Sequence, residues 1–567
     1  AYLLPVLQSG RRVLLSTGTR NLQEQLINKD VPLLAASLGR DLNIISMKGR
    51  QNYACKQKIR AWAAQTEIGD QAELDFLPEN APLWHRLNAR RETCTGSKCP
   101  LFEECFVTRL HQRAAEAELV VVNHALFFAD LVLKRQELPG VLPPYEAVVF
   151  DEAHELEGAA AQYFGVSVSS HQIEDWARDA RHRLQLLPGP QTEMIERTER
   201  LRLAAQKLFL KLARGDGRAP LTDREQFLMD ESDSYDGFML AAGHIQSGLE
   251  ALHEKPEEIH TLMRRLEEMR RALAFILESD EDGVVYWVER RGRGVYASAS
   301  PIDVAPRIRE LLFESTDTVI LTSATLTVEG RFDYVRERLG LDHARELTVA
   351  SPFQYQRQAL LYIPGHLPEP NSPDFTAAAT EEIARLLAAS RGRAFLLCTS
   401  YRQMQAFSQA LDGRTSFPLL TQGEAPRHAL LEKFRATPGA VLIATSSYWQ
   451  GVDVQGEQLS LVIVDRLPFA APHDPVVAAR IDALKREGRN AFAEFQIPEA
   501  VLSLKQGFGR LIRSTHDRGV LALLDPRIRT KSYGAQFLRS LPEFGRAESL
   551  EEVEAFFADE VLRAARR

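Results

Sequence analysis

Again and again along this chain a short run of β-branched and aliphatic residues stops at small hydroxyl or acidic residues and gives way to a helical pattern. The runs are RRVLLSTGTRNLQEQL (11–26), AELVVVNHALFF (117–128), YEAVVFDEAHELEGAA (145–160), DTVILTSATL (317–326), RAFLLCTSYRQMQAF (393–407), AVLIATSSYWQGVD (440–453) and LSLVIVDRLPF (459–469). A strand that is apolar throughout must be covered on both faces, and helices between such strands supply that cover, so the pattern predicts parallel sheets in an α/β fold. One cluster of runs lies before about residue 330 and another after about 350, which predicts two α/β lobes. The polar residues that end each run fall at the C-terminal edge of a sheet, where α/β proteins bind ligands.

Two stretches interrupt the first lobe. Residues 46–116 hold four cysteines, little strand pattern and many charges, and are expected to fold around a bound centre. In 155–300 the helical pattern dominates: Ile259, Leu262, Leu266, Met269, Leu273 and Ile276 alternate three and four residues apart, an apolar seam for helix packing. The segment DEDGVVYWVERRGRGVYASAS (280–300) reads as a hairpin that returns the chain to the first lobe.

The cysteine count bounds the chemistry. Five cysteines, four of them between positions 55 and 105, do not make a disulfide scaffold and point to a metal site in a reducing compartment. Cys55, Cys94, Cys99 and Cys105 can ligate a [4Fe-4S] cluster or a tetrahedral zinc ion, whereas Cys398, within AFLLCTS, reads as a core thiol. A net charge of -8 argues against a protein that coats nucleic acid indiscriminately but leaves room for a local basic channel. Lys48, Arg50, Lys56, Lys58 and Arg60, interleaved with Tyr53 and Trp62, are candidates to line one. No apolar run reaches membrane-spanning length, since VVVNHALFF (120–128) is broken by Asn123 and His124. The opening AYLLPVLQSG reads as a helix already under way, so a preceding segment is expected.

Three motifs carry candidate chemistry. In VVFDEAHEL (148–156) a strand delivers two carboxylates: Asp151 is suited to hold Mg²⁺ through its water shell, and Glu152 to orient and deprotonate a water attacking a γ-phosphate. The plainer reading is a solvated helix cap. In KQGFGRLIRSTHDRG (505–519), Gln506, Arg510 and Arg513 recur at near-helical spacing and are expected to share one face, with the arginine forks meeting phosphoryl oxygens. Between them, the hydroxyls of TSATL (322–326) end a strand and are placed to link nucleotide state to lobe movement. Thr17, Thr19 and Arg20 in the first lobe, and Thr399 and Ser400 in the second, end strands just before helices, where hydroxyls and free N–H groups can grip the phosphates of single-stranded DNA.

Taken in order, STGTRNLQEQL, VVVNH, DEAH, TSATL, SYWQGVDVQG and QGFGRLIR resemble the DinG/YoaA branch of the superfamily 2 DNA helicases, relatives of XPD, over nearly the whole chain. The resemblance implies two RecA-like lobes, the first carrying an inserted iron-sulfur domain and a helical arch. On that scheme the first lobe comprises 1–45, 117–154 and 301–345, the iron-sulfur domain 46–116, the arch 155–300 and the second lobe 346–567. It implies ATP and Mg²⁺ as cofactors, a [4Fe-4S] cluster on the four cysteines, and 5′ to 3′ translocation on single-stranded or forked DNA in repair or replication. Within it, His154 and Gln506 couple hydrolysis to DNA, and Gly451 and Asp453 meet the nucleotide or adjacent DNA.

A cytoplasmic monomer that contacts replication proteins, a clamp-loader subunit or single-strand-binding protein, is the expectation from such relatives. Two departures stand out. No GxxxxGK[ST] string occurs, which predicts poor ATP hydrolysis by these 567 residues alone, and Gln450 stands where many relatives carry Glu. A DNA-stimulated ATPase that displaces proteins or resolves RNA-DNA hybrids, or a non-catalytic DNA-binding scaffold, would share many of these features.

Overall fold

The structure is a computed structural model and describes residues 2–59, 66–74, 83–90, 94–135, 139–253, 255–445, 448 and 458–564. After a helix at Leu3–Gln8 come strands β1 (Val13–Thr17), β2 (Ile44–Ser46), β3 (Leu119–Asn123) and β4 (Ala147–Asp151). The chain then builds β5 (Val166–Ser169), β6 (Gly217–Pro220), β7 (Val284–Arg291) and β8 (Gly294–Pro301) before β9 (Thr318–Thr322). β9 joins the first four in a parallel sheet of order β2-β3-β1-β4-β9. Every residue of β1 is buried, as the uninterrupted apolar run requires.

The register of this sheet positions the candidate site. Thr17 lies opposite Asn123, and Asp151 opposite Thr322, so the polar ends of adjacent strands form one row along the C-terminal edge. β9 is bordered on one side only among the described residues, and Ile320 at its middle is 43% exposed.

The second sheet contains β10 (Ala359–Tyr362), β11 (Ala394–Cys398), β12 (Leu419–Thr421), β13 (Val441–Thr445), β14 (Leu461–Val464), β15 (Gly519–Leu523) and β16 (Gly545–Ala547), in the order β12-β13-β11-β14-β15-β10-β16. All its pairings are parallel. Alternate residues of β11 enter opposite cores: Phe395 and Leu397 pack with Phe434 and Phe508, while Leu396 and Cys398 pack with Ile383 and Phe407. Cys398 is thus a core thiol, and burial pushes its pKa up.

Residues 155–300 differ from the helical expectation. Helices Ser170–Gln185, Thr192–Leu212, Ser232–Glu250 and Glu257–Glu278 are there, but they share a core with a four-stranded antiparallel sheet, β5-β8-β7-β6. The hairpin is formed by β7 and β8, and it pairs with β5 and β6 rather than with the first parallel sheet. VSVS and GRAP are too short, and the second too rich in Gly and Pro, to announce strands. The apolar seam behaves as expected: Ile259, Leu262, Leu266, Leu273 and Ile276 are buried and Met269 packs against them. Trp176 of the facing helix is fully buried and donates its indole N–H to the Leu262 carbonyl at 2.9 Å.

The chain forms two compact units, 1–322 with 338–341 and 471–483, and 323–337 with 342–470 and 484–567. The two short segments of the first unit each contribute an arginine to Glu157. Arg338 donates to the Glu157 carboxylate through Nε at 3.1 Å and through Nη2, and Arg480 Nη1 approaches the same oxygen at 2.6 Å. Burial alone would raise the Glu157 pKa, but the two guanidiniums prevail and hold it below the usual range.

Candidate functional site

β4 carries Asp151 to the sheet edge, and the chain turns sharply there. Glu152 takes φ +54°, a left-handed conformation that a non-glycine residue adopts at a cost, before a turn at Ala153–Glu155 opens the helix Leu156–Phe164. Asp151 Oδ1 accepts the Glu152 N–H at 3.1 Å and Oδ2 accepts the Tyr2 hydroxyl at 2.8 Å. Burial raises the Asp151 pKa, with the Tyr2 hydrogen bond opposing. His154 Nδ1 lies 3.4 Å from Glu152 Oε2, and its Nε2 lies 3.8 Å from Glu155 Oε1. The DEAH carboxylate and imidazole are therefore neighbours, in a turn whose backbone is held in an uncommon shape.

The STGTR loop packs directly against this turn, since a β-carbon on Gly18 would run into the Glu155 carboxylate. Thr19 caps the helix Arg20–Gln25 by accepting the Leu22 N–H at 3.3 Å, and Arg20 is exposed. Thr17 corrects the expectation of a phosphate grip: it is fully buried, and its hydroxyl donates to the Thr19 carbonyl at 3.1 Å. It shapes the loop. Gln23, not singled out in the sequence, is buried and donates to the carbonyls of Met47 and Val121 at 2.7 and 2.8 Å, fixing the loop's helix to the sheet.

In the second unit the loop after β11 is organised by Asp465, fully buried at the end of the β14 run. Its carboxylate accepts the Thr399 N–H at 2.9 Å, the Thr399 hydroxyl at 3.3 Å and the Arg466 N–H at 2.8 Å. Burial pushes its pKa up to about 7 against those hydrogen bonds and the Arg466 charge. Ser400 is exposed and caps the helix Tyr401–Leu411 through the Gln403 N–H at 3.2 Å. Thr399 and Ser400 are thus brought together, with Ser400 the more open. The strand-terminal Asp of VIVDRLPF was the available signal for the brace.

Gln506, Arg510 and Arg513 do not share a helical face as expected. The helix Ile497–Phe508 ends before the arginines, so only Gln506 lies on it. Gly507 and Gly509 weaken the helix, and Asp517 draws the chain into a turn by accepting the N–H groups of Arg513 and Ser514, each at 2.8 Å. Gln450, Gly451 and Asp453 lie outside the described residues.

Cys55, Cys94, Cys99 and Cys105 all line one pocket with largely apolar walls, together with Phe102, Val107 and Arg50. The Gly96 N–H points at Cys94 Sγ, 3.4 Å away. Among the described residues no three His, Cys, Asp or Glu side chains form a group that could hold a metal ion. The neighbouring basic residues are more structural than the sequence suggested. Lys48 is buried between Glu24 and Asp70, 2.8 Å from each, and Tyr53 is buried with its hydroxyl accepting the Lys48 N–H at 3.0 Å. Lys56 pairs with Glu104 at 2.8 Å and Lys58 donates to the Asn88 carbonyl at 3.0 Å, while Arg60 and Trp62 fall outside the described residues.

Two parallel sheets, an antiparallel-sheet-and-helix insertion after the DEAH strand and a cysteine-lined insertion before it define the XPD-type helicase fold. The structure of an XPD helicase superposes with a TM-score of 0.59 at 12% identity, covering 96% of this chain and 93% of that one. The protein-family profile described as "Helicase C-terminal domain" matches residues 383–544. The ATP-dependent DNA helicase YoaA of Escherichia coli K12 is 36% identical over 98% of this chain and 91% of its own length. The ATP-dependent helicase DinG of Mycobacterium tuberculosis is 34% identical over 98% and 90%. The chain belongs to the YoaA/DinG family of ATP-dependent helicases.

Proposed function

We propose that this protein is a 5′ to 3′ DNA helicase that moves on single-stranded DNA and opens forked duplexes in repair or replication, using ATP and Mg²⁺. The row of polar strand ends along the first sheet, with Asp151 and Glu152 at the turn after β4, carries the reading. Asp151 would hold the Mg²⁺ hydration shell and Glu152 would take the proton of the attacking water. Arg510 and Arg513 would meet the phosphates, and His154 and Gln506 would couple hydrolysis to DNA. Thr19 and Arg20 in the first unit, and Thr399 and Ser400 in the second, would contact the DNA backbone.

The reading also needs a phosphate-binding loop that these residues do not spell. A further parallel strand beside the open side of β9 would deliver such a loop next to Asp151 and Thr322. The complete reading frame is therefore the material for every activity test.

The four cysteines are proposed to hold a [4Fe-4S] cluster. Their arrangement around one apolar pocket supports this, because each iron of a cubane takes its own thiolate and the sulfurs need not converge on a single ion. Such a cluster would supply a rigid cross-link between segments with little core of their own. Cys94→Ser is expected to abolish strand separation while DNA-stimulated ATP hydrolysis persists. Unwinding by this variant at the wild-type rate would remove the cluster from the unwinding step.

The deciding experiment is ATP-dependent strand separation of one duplex carrying either a 5′ or a 3′ single-stranded tail, with protein purified without oxygen. Opening from the 5′ tail alone supports the proposal. Opening from the 3′ tail alone overturns the polarity, and DNA-stimulated hydrolysis with no opening favours a protein-displacing or hybrid-resolving ATPase.

A further inference from the structure

His124 has no place in the scheme above, yet it lies where the scheme's parts meet. It follows β3 directly and starts the helix His124–Arg135, and it is 2% exposed. Its Nδ1 is 2.7 Å from the hydroxyl of Ser16, which is fully buried and immediately precedes Thr17 at the end of β1. The direction of that hydrogen bond depends on the imidazole tautomer. The ring's other face is near Phe150, with centroids 5.8 Å apart, and the backbone of Asp151 and Glu152 lies close by. Its Nε2 is buried, and hydrogen bonding between the ring and the backbone of Glu152 and Asp151 opposes part of the effect of burial. Burial pushes the imidazole pKa down to about 4, so the ring is neutral at physiological pH and its hydrogen bonds are directional rather than ionic.

A buried polar ring costs stability unless it is satisfied, and an apolar residue would fill this position with less penalty. The ring connects two elements that must communicate in a DNA-stimulated motor. On one side Ser16 leads through Thr17 and Gly18 into the loop capped by Thr19. On the other is the strained Glu152 turn, whose Glu155 carboxylate already touches Gly18.

We propose that His124 is a positioning residue through which engagement of the STGTR loop by single-stranded DNA sets the geometry of the Glu152 turn. A DNA phosphate drawn to Thr19 and Arg20 shifts the end of β1, Ser16 moves with it, and the imidazole carries the displacement to the backbone of Asp151 and Glu152. No bond is made or broken, and the ring holds one neutral tautomer throughout. This inference rests on the proposed helicase reading and adds to it a route for DNA stimulation.

The test measures ATP hydrolysis by the complete reading frame with and without an oligothymidylate, beside the affinity for that oligonucleotide and the melting temperature. His124→Phe keeps an aromatic ring against Phe150 and removes both nitrogens, Ser16→Ala removes the partner hydroxyl, and His124→Asn keeps a hydrogen-bonding group near the place of Nδ1. The first two are expected to lower the stimulation of kcat by DNA about 5-fold or more, the range of an ordinary coupling free energy. Basal turnover, KM for ATP and DNA affinity should stay at wild-type values, and His124→Asn should recover part of the stimulation. Wild-type stimulation in folded His124→Phe and Ser16→Ala overturns the inference. So does a joint fall of basal turnover and melting temperature in Ser16→Ala, which would mark the pair as structural only. If the wild-type protein shows no stimulation at all, the helicase reading itself fails, which is a separate and recognisable outcome.

Discussion

Glu152→Gln in the complete reading frame is expected to reduce DNA-stimulated ATP turnover by about 10²–10⁴-fold, the usual contribution of a positioned general base. The substitution keeps the size and the hydrogen-bonding reach of the side chain but removes its basicity. Glu152 follows directly on a strand paired on both sides, so the isosteric substitution is expected to leave its backbone in place. Nucleotide and DNA binding should therefore survive, and the variant should trap ATP on the protein. Phosphate release at saturating oligonucleotide measures the first effect and equilibrium nucleotide binding the second. Turnover within an order of magnitude of wild type would move the base to another residue, His154 being 3.4 Å away.

A large effect of another kind is expected at Glu157. Its carboxylate neutralises Arg338 and Arg480, each about one-tenth exposed. Glu157→Ala leaves two guanidiniums facing each other in a poorly hydrated place, and removing one partner of such a group typically costs about 3–5 kcal/mol. For a protein of 567 residues that corresponds to a fall in melting temperature of roughly 2.5–4 °C, read by circular dichroism. Lys98→Ala is the control: its pair with Glu257 lies on the surface, and the melting temperature should hardly move. The sign with pH also follows. The Glu157 pKa is depressed in the folded state, so its contribution is complete above the unfolded glutamate pKa near 4.3 and is lost as pH falls through the folded value. Wild type and Glu157→Ala should accordingly converge in acid. Equal melting temperatures at neutral pH would show the arginines to be well solvated.

Strands β1, β3, β4 and β9 of the first sheet were legible because each has an aliphatic run that ends in a polar motif, whereas the three-residue β2 and the order of the strands were not. Neighbouring residues then share a row at the sheet edge, as Asp151 and Thr322 do. What could not be read were features decided by distant parts of the chain. β5 and β6 become strands only because β7 and β8 offer edges to them. The spacing of Gln506, Arg510 and Arg513 suggested one helix, but the carboxylate of Asp517 competes for the backbone just where two glycines have weakened it. Thr17 looked like a phosphate ligand by type and place, and only the packing of β1 turns its hydroxyl inward. Asp465 and His124 were visible in the sequence as residues at strand ends, but their burial was not.

The guanidiniums on Glu157 also bear on how this protein can be cut. Arg338 and Arg480 are supplied by the short segments 338–341 and 471–483, far downstream of the first parallel sheet they help to complete. A gene fragment that stops after β9 would encode every described strand of that sheet and neither arginine, leaving the Glu157 carboxylate without the two guanidiniums that neutralise it. The first unit is therefore not a module in the genetic sense. Residues 155–300 lie between its pieces, and a gene design that separates the two sheets would have to reconnect 338–341 and 471–483 by permutation rather than by deletion.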